Sequence, residues 1–403
     1  MSVFLIGTLD TKGHEIAFVR DRLRELGVDV CIVDAGCLRE PQIAAGISRE
    51  QVFEAAGTTL QALRDANDRG QAVAAAAEGV KRLILERHAA GEVQGVLGLG
   101  GSAGTTIATA AMRALPLGIP KLMVSTLASG QVRSYVGDKD ILMLNSVVDI
   151  LGINRISRAI LTQAARAMAG MVTLPASNPD AAADRPLVAA TMFGVTTPCI
   201  ERAREVLEAA GYEVLVFHAT GTGGQAMESL IADGLIAGVL DITTTELADE
   251  LVGGILSAGP DRLTAAGKRG VPQVISVGAT DMVNFGPRET VPEKFADRRF
   301  YIHNPNVTLM RTTVEENRQL GKEIGRKAAA ATGPTAILLP LRGVSAIDRA
   351  GQPFEDVIAR AALISGVRKT RGSCELIELD AHINDPVFAE RAAEKLIALM
   401  QSK

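Results

Sequence analysis

A chain of 403 residues with 47% hydrophobic content is long enough to build two cores of ordinary domain size. A net charge of −4 and only 3% aromatic residues, with no tryptophan, exclude a broad duplex-binding face and a stacking platform for single strands. Cys31, Cys37, Cys199 and Cys374 form no C-x-x-C pair, so reduced thiols are expected and a zinc site is not.

The chain enters its first strand at once, without a basic region leading into an apolar run. No stretch of about 18 apolar residues follows, so no membrane helix is expected and the predicted location is cytoplasmic. Strands are predicted near residues 3–7, 29–34, 94–99, 120–126 and 141–144, with a closing helix near Arg155–Ala169. The stretch 174–186, rich in Pro, Ala and Asp, reads as a linker after a first domain over 1–173. A second domain over 187–403 has strands near 187–193, 213–217, 237–241, 272–277, 335–340 and 374–379, and ends on a helix from Pro386. Asn304, Pro305 and Asn306 read as a polar turn.

The two domains repeat one another. Val3–Gly36 and Val188–Gly221 share a buried strand, a turn, an amphipathic helix closed by Gly27 or Gly211, and a second strand. GVLGLGGSAGTT at Gly95–Thr106 is answered by GVLDITTTEL at Gly238–Leu247, and Ile119–Gly130 by Val271–Met282. The expected fold is α/β, two Rossmann-like parallel-sheet domains related by internal duplication. The first copy carries an insertion over 39–79, with helical spacing at Val52, Leu60 and Leu63; it could wall a ligand cleft or a subunit contact.

Ligands in such folds lie at the carboxyl ends of the strands, often between domains. Two first-domain loops there suit an anion. GTLDTKG offers the sharp turn of Gly7, the hydroxyls of Thr8 and Thr11, the ammonium of Lys12, and Asp10, which could hold a magnesium water or cap the helix. In GLGGSAGTT, Gly100, Gly101 and Gly104 leave backbone N–H groups unobstructed, and Ser102 and Thr105 add hydroxyls. The alternative for each is a capped or closely packed strand–helix turn. In the second copy DITTTEL replaces the glycines, so that site has lost phosphate binding or supplies hydroxyls and a carboxylate. Three later loops concentrate polar chemistry: Asp281 with Asn284; Arg342 with Ser345 and Asp348; His382 with Asn384 and Asp385. The last two residues also suit a cap for the helix at Pro386.

GTLDTKG, GLGGSAGT, the Asn145/Asp149/Asn154–Arg155 region, HNPNVTLMRTT, PLRGVSAID and DAHINDPVFA occur in this order along essentially the whole chain. In these motifs the chain resembles a bacterial and fungal family whose plant relative is the tomato mosaic virus resistance protein. The resemblance implies an ATP-binding pair of Rossmann-like halves, commonly a homodimer. It places Gly7, Thr8, Asp10, Thr11, Lys12, Gly100, Gly101, Ser102, Gly104 and Thr105 at the nucleotide. The expected ligands are ATP with Mg²⁺ and a small metabolite. If there is turnover, transfer or ligation is expected, with Asp281, Arg342 and His382 serving the second substrate. A non-catalytic nucleotide sensor and a phosphosugar or sugar-acid enzyme working without ATP are the other readings.

Overall fold

The computed structural model describes residues 1–174 and 185–402, so the expected linker falls almost wholly outside the described residues. The chain divides into two compact units, Met1–Pro179 and Asp180–Lys403. The first holds one parallel sheet of β1 (Ser2–Gly7), β2 (Val30–Asp34), β3 (Val93–Gly100), β4 (Lys121–Ser125) and β5 (Leu142–Asn145), in the order β2-β1-β3-β4-β5. The alternation within β1 shows why it is buried on both faces. Val3 and Leu5 pack with Ile16, Val19 and Leu23 of the helix Leu9–Glu25. Phe4 and Ile6 pack on the other side with Val52 and Phe53 from the insertion and with Val80 just after it. Parallel strands covered by helices on both faces read as unbroken apolar runs, which is how they appear in the sequence. The insertion contributes the helices Arg49–Ala55 and Leu60–Ala66 and opens the long helix Arg69–Ala89.

The second unit contains β6 (Leu187–Met192), β7 (Glu213–His218), β8 (Gly238–Thr243), β9 (Gln273–Gly278), β10 (Met282–Phe285), β11 (Phe300–Asn304), β12 (Val307–Arg311), β13 (Thr335–Pro340) and β14 (Glu375–Leu379). Its main sheet has the order β14-β13-β9-β8-β6-β7 and all its pairings are parallel. Taken from the other edge, β7-β6-β8-β9-β13 reproduces the first sheet's order, so the duplication holds at the level of topology. Gly27 (φ +76°) and Gly211 (φ +91°) take the same left-handed position after their helices, where any side chain would be strained.

An antiparallel sheet, β10-β12-β11, was not expected from the sequence. Its strands are only four or five residues long, and no clean alternation marks them as half-buried. The expected turn at Asn304–Asn306 is there: Asn304 pairs with Val307 across a two-residue hairpin tip. No helix among the described residues is long and apolar enough to cross a membrane.

The helices Val314–Ala329 and Val357–Thr370 cross on glycines. A Cβ on Gly321 would strike the carbonyl oxygen of Leu363, and one on Gly366 would come within 2.5 Å of the Arg318 carbonyl oxygen. Backbone atoms cannot yield as a flexible side chain can. Gly321→Ala is therefore expected to cost about 1–3 kcal/mol in urea unfolding. An unchanged midpoint would mean that the helices can part freely.

Candidate functional site

In a sheet ordered β2-β1-β3-β4-β5, the connections leave β1 and β3 toward opposite faces. The carboxyl ends of these two strands form the topological switch point, where ligands of open α/β sheets bind. The loops Gly7–Lys12 and Gly100–Thr105 are the ones that leave those two ends.

The ten predicted residues of these loops divide into three groups. Gly7, Gly100 and Gly104 serve close packing. A Cβ on Gly7 would lie 2.6 Å from Ile16 Cδ1, one on Gly100 2.9 Å from the Gly104 Cα, and one on Gly104 2.9 Å from the Leu99 carbonyl oxygen. Asp10 and Thr105 turn inward. Asp10 Oδ2 accepts the Leu38 N–H at 2.7 Å and the Arg39 N–H at 3.2 Å, while its Oδ1 is buried without a partner against Gly36. Asp10 thus binds neither an open-loop ligand nor the end of its own helix; it fastens the segment after β2. The Thr105 hydroxyl is shared with Ser125 at 2.7 Å, which ties the start of the helix Ser102–Ala114 to β4.

The remaining five line the open side. Gly101 precedes Ser102–Ala114, and the N–H groups of Gly101, Ser102, Ala103 and Gly104 bond to no acceptor among the described residues. Thr105 is the first to bond back, to the Gly101 carbonyl at 2.8 Å. The Ser102 side chain is exposed. Across the switch point, the hydroxyls of Thr8 and Thr11 meet at 2.7 Å. Lys12 breaks its helix locally (φ −128°, ψ 16°) and donates its ammonium to the Ile150 carbonyl. That bond uses one of three protons and anchors the Asn145–Arg155 segment beside the loop. Bare amides at a helix start, with a cation and hydroxyls beside them, form an anion cradle.

Asp34, at the end of β2, accepts the N–H groups of Leu9 and Gly36 through Oδ1 at 3.0 and 2.9 Å. Burial, and to a lesser degree the charge of Asp10, pushes its carboxyl above the usual range. Two carboxylates therefore hold the β1 and β2 ends together from inside.

The second copy is built the opposite way. Glu246, in DITTTEL, sends its carboxylate into the glycine loop after β7, accepting the Gly221 and Gly224 N–H groups at 2.7 and 3.1 Å. Arg262 is completely buried and donates to Glu246 (2.6 Å), to both oxygens of Asp241 (2.5 and 2.7 Å) and to Glu228 (3.2 Å). Burial opposes its charge, but the carboxylates of Asp241, Glu246 and Glu228 hold the guanidinium well above the ordinary arginine value. Thr191 and Thr243 complete the network, and Thr244 and Thr245 are buried beside it. Of the two expectations for this loop, the carboxylate is supplied, but to the protein's own amides. The place of an anion is filled from within.

Of the three predicted catalytic residues, the structure brings two together. Asp281 Oδ2 accepts the Ser345 hydroxyl at 2.8 Å, and His382 Nε2 lies 2.8 Å from the Ser345 carbonyl oxygen. Because His382 Nδ1 accepts the Asn384 N–H at 3.1 Å, the ring is neutral with its proton on Nε2; burial keeps its pKa below the usual histidine value. Arg342 is not part of this group. Its guanidinium is exposed and makes a two-pronged pair with Asp380 at 2.7 and 2.5 Å. The cations beside Asp281 and Asp348 are Arg311 and Arg360, neither of which was singled out as catalytic. Asp281 and His382 are 0% and 2% exposed, so they order the loops after β9, β13 and β14 and reach no solvent. Asp385 stands at the cap position before Pro386, yet its carboxylate accepts the His382 N–H and makes no side-chain cap.

Arg262 and its partners were missed in the sequence. Arg262 lies in an irregular stretch with no pattern of its own. The available signal was Asp241, an acid ending an otherwise apolar run, which needs a buried cation.

Comparison with known proteins gives a consistent result. The chain matches the models "Uncharacterised protein family (UPF0261) N-terminal domain" over residues 1–177 and "Uncharacterised protein family (UPF0261) C-terminal domain" over 185–400. A UPF0261 protein of Clostridium tetani is 50% identical over 405 residues, covering 99% of each chain. The ToMV resistance protein Tm-1(GCR237) of Solanum lycopersicum is 40% identical over 418 residues, covering 98% of this chain and 55% of its own length. A putative UDP-N-acetylglucosamine 2-epimerase of Listeria monocytogenes aligns over 100% of this chain at 12% identity with a TM-score of 0.22, too distant to argue from.

Proposed function

Since the chain belongs to the UPF0261 family, and since one of its two duplicated sites is open, we propose that it is a nucleotide-binding protein whose first unit holds the phosphates of ATP. The observation that carries this reading is the row of four bare N–H groups at Gly101–Gly104, across the β1/β3 switch point from Lys12, Thr8 and Thr11. Amides and one ammonium fit a phosphate chain better than a carboxylate, because they offer several donors spread along the loop. Magnesium would accompany the phosphates through their own oxygens and water. Asp10 is occupied and turned inward, so these loops present no free carboxylate to it.

In this reading the protein is cytoplasmic and homodimeric, and ATP either drives transfer to a small metabolite or sets a conformational state. The chemistry left to the chain is to bind and orient: Lys12 neutralises charge, the amides fix the phosphate chain, and the Thr8, Thr11 and Ser102 hydroxyls complete its shell.

The test is thermal unfolding with ATP, ADP, NAD and inorganic phosphate, each with and without Mg²⁺. At 100 times its dissociation constant a ligand adds about 2.7 kcal/mol, well within detection. Lys12→Ala removes the cation. Ser102→Pro removes one bare N–H and the hydroxyl at the first helical position, where proline fits the helix. An ATP-selective shift that weakens in both variants is expected. A shift with phosphate but with no nucleotide would transfer the cradle to a phosphosugar ligand.

A further inference from the structure

The insertion in the first unit makes a cavity of its own, away from the switch point on the β2 side. It measures about 280 Å³ and is lined by Cys37 and Leu38 from the segment after β2, by Leu63, Arg64 and Asn67, and by Asp68, Arg69 and Ala72. Its walls are of two kinds. Leu38, Leu63 and Ala72 make an apolar side, and Leu38 is 70% exposed, a large apolar surface for a free residue to leave in water. Arg64 and Arg69 make a cationic side.

These two arginines are lightly engaged. Arg64 gives its Nε–H to the Cys37 carbonyl at 3.0 Å and stands 3.8 Å from a Glu40 oxygen, which itself pairs at 2.8 Å with the buried Arg49. The Arg69 side chain makes no hydrogen bond or ion pair among the described residues. Asp68 spends one carboxylate oxygen on capping, accepting the Gln71 N–H at 3.1 Å. Behind it, the N–H groups of Arg69 and Gly70 open a helix of 21 residues and bond to no acceptor among the described residues. Asn67 takes a left-handed conformation (φ 47°), which turns the chain so that the Arg64 helix and the Arg69 helix face the same space. Cys37 is half-buried and its thiol is pushed above the usual range by burial first and by Asp10 second, so the wall it forms is a neutral thiol.

We propose that this cavity binds a small organic acid, a carboxylate on a short apolar body, with the anion on Arg64 and Arg69 and the body against Leu38, Leu63 and Ala72. A volume of 280 Å³ admits a metabolite of a few carbons and leaves no room for a nucleotide. Two guanidinium groups outnumber the single Asp68 carboxylate of the lining, and their bonds to an anion are charge-assisted, the strong kind. The site is joined to the switch-point loops by covalent neighbours: Leu38 lines the cavity while its own N–H, with that of Arg39, holds Asp10. An acid bound here therefore presses on the segment that fastens the Thr8–Lys12 loop. The inference does not depend on ATP being the ligand of the other loops.

The experiment uses the full chain, titrated by calorimetry with pyruvate, succinate and glutarate in turn. In parallel, modification of Cys37 by N-ethylmaleimide is followed by mass spectrometry with and without each acid. At least one acid is expected to bind saturably and to slow Cys37 modification. Arg64→Gln and Arg69→Gln are expected to weaken that acid by roughly tenfold each, the size of one lost charge-assisted bond. Both positions are exposed, so the variants should keep the parent's unfolding temperature. If no acid binds saturably, or if binding and Cys37 protection survive in the Arg64→Gln/Arg69→Gln double variant, the assignment is overturned. ATP binding to the parent is measured separately, so loss of one reading leaves the other standing.

Discussion

Arg262→Ala should unfold the second unit more readily than any other single truncation of a charged side chain in this protein. The expected loss is about 3–5 kcal/mol at neutral pH, the usual cost of stranding buried charge by removing its partner. Arg262 is wholly buried, and three carboxylates, those of Asp241, Glu246 and Glu228, are arranged around it. Without it, Asp241 and Glu246 face one another with no counter-charge, and only protonation relieves them. The sign follows. Burial already raises the Glu246 carboxyl in the parent, and losing Arg262 raises it further, so the variant binds protons that its unfolded chain releases. Its deficit should shrink as pH falls toward about 5 and widen toward about 8. Urea unfolding of parent and variant at both pH values checks this. Lys268→Ala is the control: its ion pair with Asp261 is 68% and 87% exposed, and such pairs contribute little. Equal effects for the two variants would show that the Arg262 network does not hold the fold.

The same network explains how far the sequence could be read. Parallel strands buried on both faces announce themselves as apolar runs, and the glycine at each helix end announces the turn; hence both main sheets were expected. The open loops were visible too, because glycine clusters and hydroxyls after a strand have few other uses. What stayed hidden was the direction of individual side chains. Asp10 sits in an anion-type loop by sequence, but its carboxylate turns to Leu38 and Arg39, a choice fixed by a loop 28 residues away. Thr105 turns to Ser125 for the same kind of reason. Arg342 and His382 were grouped by lying after neighbouring strands, yet Arg342 finds Asp380 at the surface first. Position along a strand end is written in local pattern; the partner of a polar group is decided by the tertiary fold.

The duplication gives this distinction a functional meaning. Both copies keep the topology that creates a switch point, and both put a carboxylate on the amides of the loop after the second strand. In the first copy it comes from the β1 loop, through Asp10, and the glycine-rich loop after β3 remains bare. In the second it comes from the β8 loop, through Glu246. The proposed anion site is therefore placed in the first copy, at its bare loop.

Asp281→Asn should change how stability depends on pH more than it changes the fold. Asp281 is fully buried, with Oδ2 on Ser345 and Oδ1 without a partner. Burial first, and the nearby Asp348 second, push its carboxyl up to about 7, against the pull of Arg311. A carboxyl raised in the folded state keeps its proton where the unfolded chain has lost it. Its contribution to stability is complete below the ordinary aspartate range, near pH 4, and is lost as pH rises through about 7. Each pH unit between those two values is worth about 1.4 kcal/mol, so the swing across this window is on the order of 4 kcal/mol. Asparagine has the same shape and no proton to lose. Its stability relative to the parent should therefore climb by about 1.4 kcal/mol per pH unit from about pH 5 to about pH 7, and level off above. His382, held below its ordinary value by burial, pulls the other way, and so does not mimic the effect; it is present in both chains and cancels in the difference. Asp249, also raised to about 7 by burial, cancels likewise and keeps the parent's slope in the variant from vanishing altogether. Unfolding free energies of the two chains at four or five pH values decide the matter. Parallel curves would mean that Asp281 is ionised throughout, with Arg311 outweighing burial.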